Sequence, residues 1–298
     1  MNIPTILQKR NTYLQLAAET GQIQAFKTAF KQEKNKNISN LFGETSFHIA
    51  CENGRFMIVQ LHLKNNDLEI NNHGIRLNAK TNGGHTAFNL ACQRGHTDVV
   101  KLLMDNAAAF RIDLKVKDLQ GMTSFHHVCI LGHLNLVKIF MENAATFDID
   151  LNAKDNDSLT GFHFACLEGF TDVVKIFMEN AAKSCFDLNT AFQIACEVGF
   201  SDGVTIFMDN ATAMRIDLNT ANDDGKTAFH FACFNCHLDV VEIFIKNAAA
   251  SNINLDAKDN NGLTAYNIAC MKGDSDVIKI FTENAAAILK NIFFSKVS

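Results

Sequence analysis

No run of 18 apolar residues occurs in the chain, so no segment reads as a membrane-spanning helix. The opening "MNIPTILQKRNTYLQ" has no basic stretch leading into an apolar core, so a secretory leader is not expected. Positive charge is neither abundant nor gathered. The 27 Lys and Arg residues against 32 Asp and Glu leave a net charge of −5, without the cation clusters that phosphate binding favours. Nucleic acid is therefore not an expected partner, and neither is membrane insertion. Proline is confined to Pro4. No P-loop, Gly-x-Ser-x-Gly or His-Glu-x-x-His pattern is present, so no enzyme class is indicated and no cofactor is expected. What the chain does have is 47% hydrophobic content, which suits a folded protein. Nine cysteines, an odd number, suggest free thiols in a reducing compartment more than a disulfide framework. The expected location is the cytoplasm, with the nucleus also open.

Self-similarity accounts for most of the sequence. Aligned on a threonine, the segments "TYLQLAAETG", "TSFHIACENG", "TAFNLACQRG", "TSFHHVCILG", "TGFHFACLEG", "TAFQIACEVG", "TAFHFACFNC" and "TAYNIACMKG" begin at Thr12, Thr45, Thr86, Thr123, Thr160, Thr190, Thr227 and Thr264. Each is followed by an apolar stretch such as "DVVKIFMENAA" and, in most copies, by a polar turn such as "IDLNAKDNDS". Phe162, Ala165 and Cys166 fall at i, i+3 and i+4, and Val173, Val174, Ile176 and Phe177 form a second helical stripe. Each copy thus reads as helix, turn, helix and hairpin-like loop. The threonine is placed to cap the first helix. Three residues on stands His48, Asn89, His126, His163, Gln193, His230, Asn267 or Gln15, as in a capping box. A glycine near the helix end supplies the left-handed stop.

These copies resemble the ankyrin-repeat family, whose pattern runs roughly Thr-Pro-Leu-His-x-Ala-Ala-x-x-Gly-His-x-x-Val-Val and closes on Asp-Val-Asn-Ala-x-Asp-x-x-Gly. The likeness covers about residues 12 to 290. Ala, Ser or Gly replaces the proline, Phe usually replaces Leu, and Cys replaces the second Ala in seven copies. The resemblance implies an all-α ankyrin-repeat solenoid of about eight repeats, with β-hairpin-like finger loops. Residues 1–37 are expected to form an N-terminal capping repeat. Residues 38–298 would hold seven further repeats, with a shortened loop at 183–190 and an apolar C-terminal tail marked by Ile288, Leu289, Ile292, Phe293 and Phe294.

Two irregularities carry expectations of their own. Most copies are 37 residues long, four more than the family's usual 33, and a four-residue insertion such as that within "NAAAFRI" favours a second helix one turn longer. The step from Thr160 to Thr190 is only 30 residues and lacks a finger. The second helix after it carries Gly203 where other copies have valine, which marks this junction as the weak point of the array.

The resemblance also implies a function. Ankyrin arrays bind proteins with their finger tips and with the concave face built by the first helices. The residue pair after Ala-Cys maps to that face, and from the fourth copy onward it includes apolar residues: Ile130, Leu131, Leu167, Val198, Phe234 and Met271. Leu119, Met122, Leu159 and Leu263 join them from the fingers. These ten residues are the candidate partner-binding set of a monomeric, non-catalytic scaffold or adaptor. One alternative is a targeting subunit of a phosphatase or ubiquitin ligase. A remote one starts from "CFNCH", where Cys233-x-x-Cys236-His237 has the spacing of a thiol redox, metal or haem site. Alignment disfavours it. Cys233 is the repeat cysteine, His237 matches His96 and His133, and Cys236 stands where other copies carry glycine.

Overall fold

The computed structural model describes residues 11–65, 75–181, 184–286 and 288–289. Among them the structure is helical, and the fingers are hydrogen-bonded turns with one isolated β-type bridge, between Ala221 and Thr227. Eight helix pairs follow the eight threonine-led copies. They are Tyr13–Thr20 with Ile23–Gln32, Ser46–Glu52 with Phe56–Lys64, Ala87–Gln93 with Thr97–Asp105, Ser124–Ile130 with Leu134–Asn143, Gly161–Leu167 with Thr171–Asn180, Leu188–Glu197 with Ser201–Met214, Ala228–Phe234 with Leu238–Asn247, and Ala265–Lys272 with Ser275–Glu283. The chain divides into two compact units, Met1–Gly161 and Phe162–Ser298.

The capping boxes are formed at Thr12, Thr45, Thr86, Thr123, Thr227 and Thr264. Their third residue also holds the next copy. His48 accepts from the Thr45 backbone N–H with Nδ1, which leaves Nε2–H to donate to the Ala79 carbonyl at 2.8 Å. His126 reaches Leu159 and His230 reaches Leu263 in the same way. Asn89 instead donates to Val116 O and Ser124 Oγ. One side chain therefore starts a helix and ties it to the following finger, which is why a long polar group is needed at a buried position.

A second cross-copy lock explains the glycine. His96 Nε2 bonds the Glu52 carbonyl, and its ring lies where a side chain on Gly54 would project. His133 does the same against Gln93 O and Gly95, and His237 against Glu197 O and Gly199. In the first copy Arg55 takes this role against Glu19 O and Gly21. Here glycine answers two demands, a positive φ and room for the ring.

The core of each unit is a zipper of rings from alternate helices. In the first unit Phe140 contacts Phe88 and Phe125 at 6.2 and 5.4 Å between centroids. In the second, Phe207 lies between Phe162 and Phe192, Phe244 between Phe192 and Phe229, and Phe281 between Phe229 and Tyr266. Burying each such ring stabilises the stack by about 1.5–3 kcal/mol. His62 occupies this second-helix column in its own copy, fully buried among Phe26, Phe30 and Phe47. Its Nδ1–H donates to Ile58 O and its Nε2 faces the Ser46 hydroxyl at 3.0 Å.

The four extra residues take more than one form. They extend a continuous helix only in Ser201–Met214. After Thr97–Asp105 a separate turn, Ala107–Phe110, follows Asn106. Beyond Asn143 and Asn247 the chain forms turns. All four end alike, on a left-handed residue, Arg111, Asp148, Arg215 or Asn252. The next N–H donates five residues back, as Ile112 does to Ala107 O and Ile216 to Ala211 O. These are Schellman-type stops. The asparagine of "MENAA" donates its amide to the carbonyl four residues back, Asn143 to Ile139 and Asn180 to Ile176.

The missing finger changes the helix start. Thr190 does not cap its copy; the helix begins at Leu188 and Asp187 is the cap, accepting from Thr190 N–H. Without a finger the chain runs straight from the buried Phe186, which packs on Phe162 and Phe177, into the helix. Gly203 leaves no hole, because the Phe200 ring lies 2.3 Å from where its Cβ would be.

Candidate interaction surface

The fingers are Asx turns that stack on one another. Asp118 Oδ1 accepts from Gln120 and Met122 N–H, and Gly121 N–H donates back to the Asp118 carbonyl. Asp155, Asn222 and Asp259 organise their turns with the same side-chain geometry. Asn82 N–H donates to Phe42 O, Asn156 to Gln120 O and Asn260 to Asp224 O, so each of these fingers is pinned to its predecessor. Backbone groups are consumed in the stack and the tip side chains are left outward.

In the first unit Leu119 is 66% exposed and Leu131 46% exposed, while Met122, Ile130 and Leu159 are half-buried. In the second unit Leu167, Val198, Phe234 and Met271 are exposed, Met271 at 74%, and Leu263 is half-buried. The five exposed apolar residues thus fall on the two positions after the helix-end cysteine, Leu167, Phe234 and Met271 on the first and Leu131 and Val198 on the second. Phe234 is shielded on one side by Lys272, whose Nζ sits 4.1 Å from the ring centroid and also bonds the Phe234 carbonyl. Sequence reasoning missed two tip residues, Leu41 and Phe42, exposed at 55% and 50%. Leu41 precedes its threonine by the same four residues as Leu119, so position within the repeat was a usable signal. Of the apolar tail, Ile288 and Leu289 are described and Leu289 is exposed; Ile292, Phe293 and Phe294 lie outside the described residues, as do residues 1–10 of the capping repeat.

The thiols are set by burial. All nine cysteines are free. Six of the seven repeat cysteines are buried, and desolvation pushes the thiols of Cys51, Cys92, Cys166, Cys196 and Cys233 well up, away from the reactive thiolate. Cys270 differs from the other six and is exposed, because no described copy stacks beyond its helix. In "CFNCH" the three side chains go separate ways. Cys233 is buried, Cys236 is exposed at φ +60°, and His237 Nε2 bonds Glu197 O. Cys236 donates to Asp274, which lowers that carboxyl and raises the thiol.

A model of ankyrin repeats in three copies matches residues 14–115, 66–155 and 211–292. The chain belongs to the ankyrin-repeat family. Ankyrin repeats are protein–protein interaction modules and their fold is non-catalytic. Among solved structures, the chain is similar to the crystal structure of the human ASB11 ankyrin repeat domain, with 21% identity and a TM-score of 0.60 over 74% of this chain and 92% of that one. That likeness speaks for the ankyrin fold. No curated protein matches the sequence. No helix among the described residues is long and apolar enough to cross a membrane.

Proposed function

We propose that this ankyrin chain is a non-catalytic scaffold or adaptor that takes a protein partner on its finger tips and first-helix ends. The observation that carries the reading is the recurrence of exposed Leu131, Leu167, Val198, Phe234 and Met271 in the two positions after the repeat cysteine, outside the buried core. Repeated apolar side chains at the rim of a polar surface mark a protein contact. Half-buried Met122, Ile130 and Leu159 would add to the contact of the first unit, and Leu263 to that of the second. The surface belongs to the seven copies within residues 38–298, acting as a monomer in the cytoplasm.

The test replaces Leu131, Leu167 and Phe234 with Asp and compares lysate capture by the variant and the parent chain, after circular dichroism has shown equal helix content. A partner held by the parent and lost by the folded variant supports the reading. Capture of the same partners by both moves the site elsewhere. A variant that loses helix content would show these residues to be core.

A further inference from the structure

Two residues that break the repeat meet at one carboxylate. At the position of His127 the other copies carry Leu16, Ile49, Leu90, Phe164, Ile194, Phe231 and Ile268, and His127 is as buried as Ile194 and Ile268, each 8% exposed. At the position of His85 they carry Asn11, Glu44, Met122, Leu159, Asn189, Lys226 and Leu263. The stack brings the finger of one copy against the helix and finger of the next. There His127 Nε2 lies 2.8 Å and His85 Nδ1 3.6 Å from the same Asp118 Oδ2. From these three residues we infer a binding site for a divalent first-row transition-metal ion, Zn²⁺ in the first instance, formed by His85, Asp118 and His127 in the first unit.

Three observations support it. The three ligand atoms all lie within 4.8 Å of one another. Donors around tetrahedral zinc stand about 3.4 Å apart. The Asp118 contact to His85 already has about that spacing, and the one to His127 must open slightly. His85 is the half-exposed member and sits on a finger, so its ring is free to adjust. Asp118 is oriented in advance: Oδ1 is engaged by Gln120 and Met122 N–H, and Oδ2 alone faces the histidines. Such outer bonds fix ligand carboxylates in metal sites. Two imidazoles and one carboxylate form a nitrogen–oxygen set suited to zinc with one position left for water or a partner's side chain. Gln93 Nε2 lies 3.2 Å from His127 Nε2 and 3.5 Å from His85 Nδ1, so its amide walls the site.

The experiment titrates the chelator-treated, reduced full chain with Co²⁺, followed by visible absorption, and then displaces Co²⁺ with Zn²⁺. The expected result is one saturable ion per chain with ligand-field bands and no thiolate charge-transfer band, and a rise in Tm on adding Zn²⁺. His127→Ile and His85→Lys, each carrying a residue that other copies tolerate, should weaken binding by more than about tenfold and remove the Tm rise. Asp118→Asn, which keeps the turn's acceptor, should do the same. Absence of saturable binding in the parent chain would overturn the site. So would binding that survives His127→Ile or shows a thiolate band, since the metal would then sit on exposed Cys185, Cys236 or Cys270.

Discussion

His62 is the residue whose protonation matters most to the first unit. Burial among three phenylalanines lowers its pKa from 6.5 to about 4. The facing groups are those rings, the Ser46 hydroxyl and the Ile58 carbonyl, none of which is charged. As pH falls below 6.5 the unfolded chain takes a proton that the folded chain refuses, so stability declines until about pH 4 is reached. The loss amounts to about 3 kcal/mol. Thermal melts from pH 7 to pH 4 should show it, and His62→Leu, the residue that Leu103 supplies in the next copy, should flatten the slope. At Gly95 the φ of +73° and the His133 ring 2.8 Å from a would-be Cβ both oppose a side chain. Gly95→Ala should cost about 1–3 kcal/mol in urea unfolding. Cys236 shows the converse. The copy after it offers Asp274 and no histidine, so a side chain is tolerated at a glycine position. Cys236→Gly should be neutral or stabilising by up to about 1 kcal/mol, since glycine accepts φ +60° without penalty. A variant that bound or lost a cofactor would count for the redox reading instead.

Among the helices, Leu188–Glu197 tests how a repeat survives without its finger. It keeps the Phe-Asp-Leu-Asn segment that matches Ile-Asp-Leu-Asn in other copies, and the aspartate is redeployed as an N-cap. Asp187→Ala should therefore cost about 1 kcal/mol, whereas alanine at Asp150 or Asp217, whose side chains bond the N–H two residues on in finger loops, should cost less. Chemical denaturation of the three variants side by side would decide it. The neighbouring helix Ser201–Met214 is not weakened as its glycine suggests, because Phe200 fills the space above Gly203. Gly203→Ala gains helix propensity of about 1 kcal/mol but displaces that ring, so a net loss of stability is expected.

For the molecule as a whole, stability is close to a sum over copies and their interfaces, so the junction without a finger is where cleavage should begin. Limited proteolysis is expected to cut first within 183–205; early cuts elsewhere with this segment intact would remove the weak-junction idea. The repeat, its helix pairs, most capping threonines and the positions of the apolar surface residues are written in the sequence, because each depends on spacing within one copy. Period and cap chemistry are local, and local chemistry can be read along the chain. What stacking alone decided lies between copies. His133 covers Gly95 of the preceding copy, and His85 and His127, 42 positions apart, converge on Asp118. No spacing within one copy announces such pairs, and the departures at Gly203, filled by Phe200, and at Asp187, which takes over a cap, show their compensation only in three dimensions.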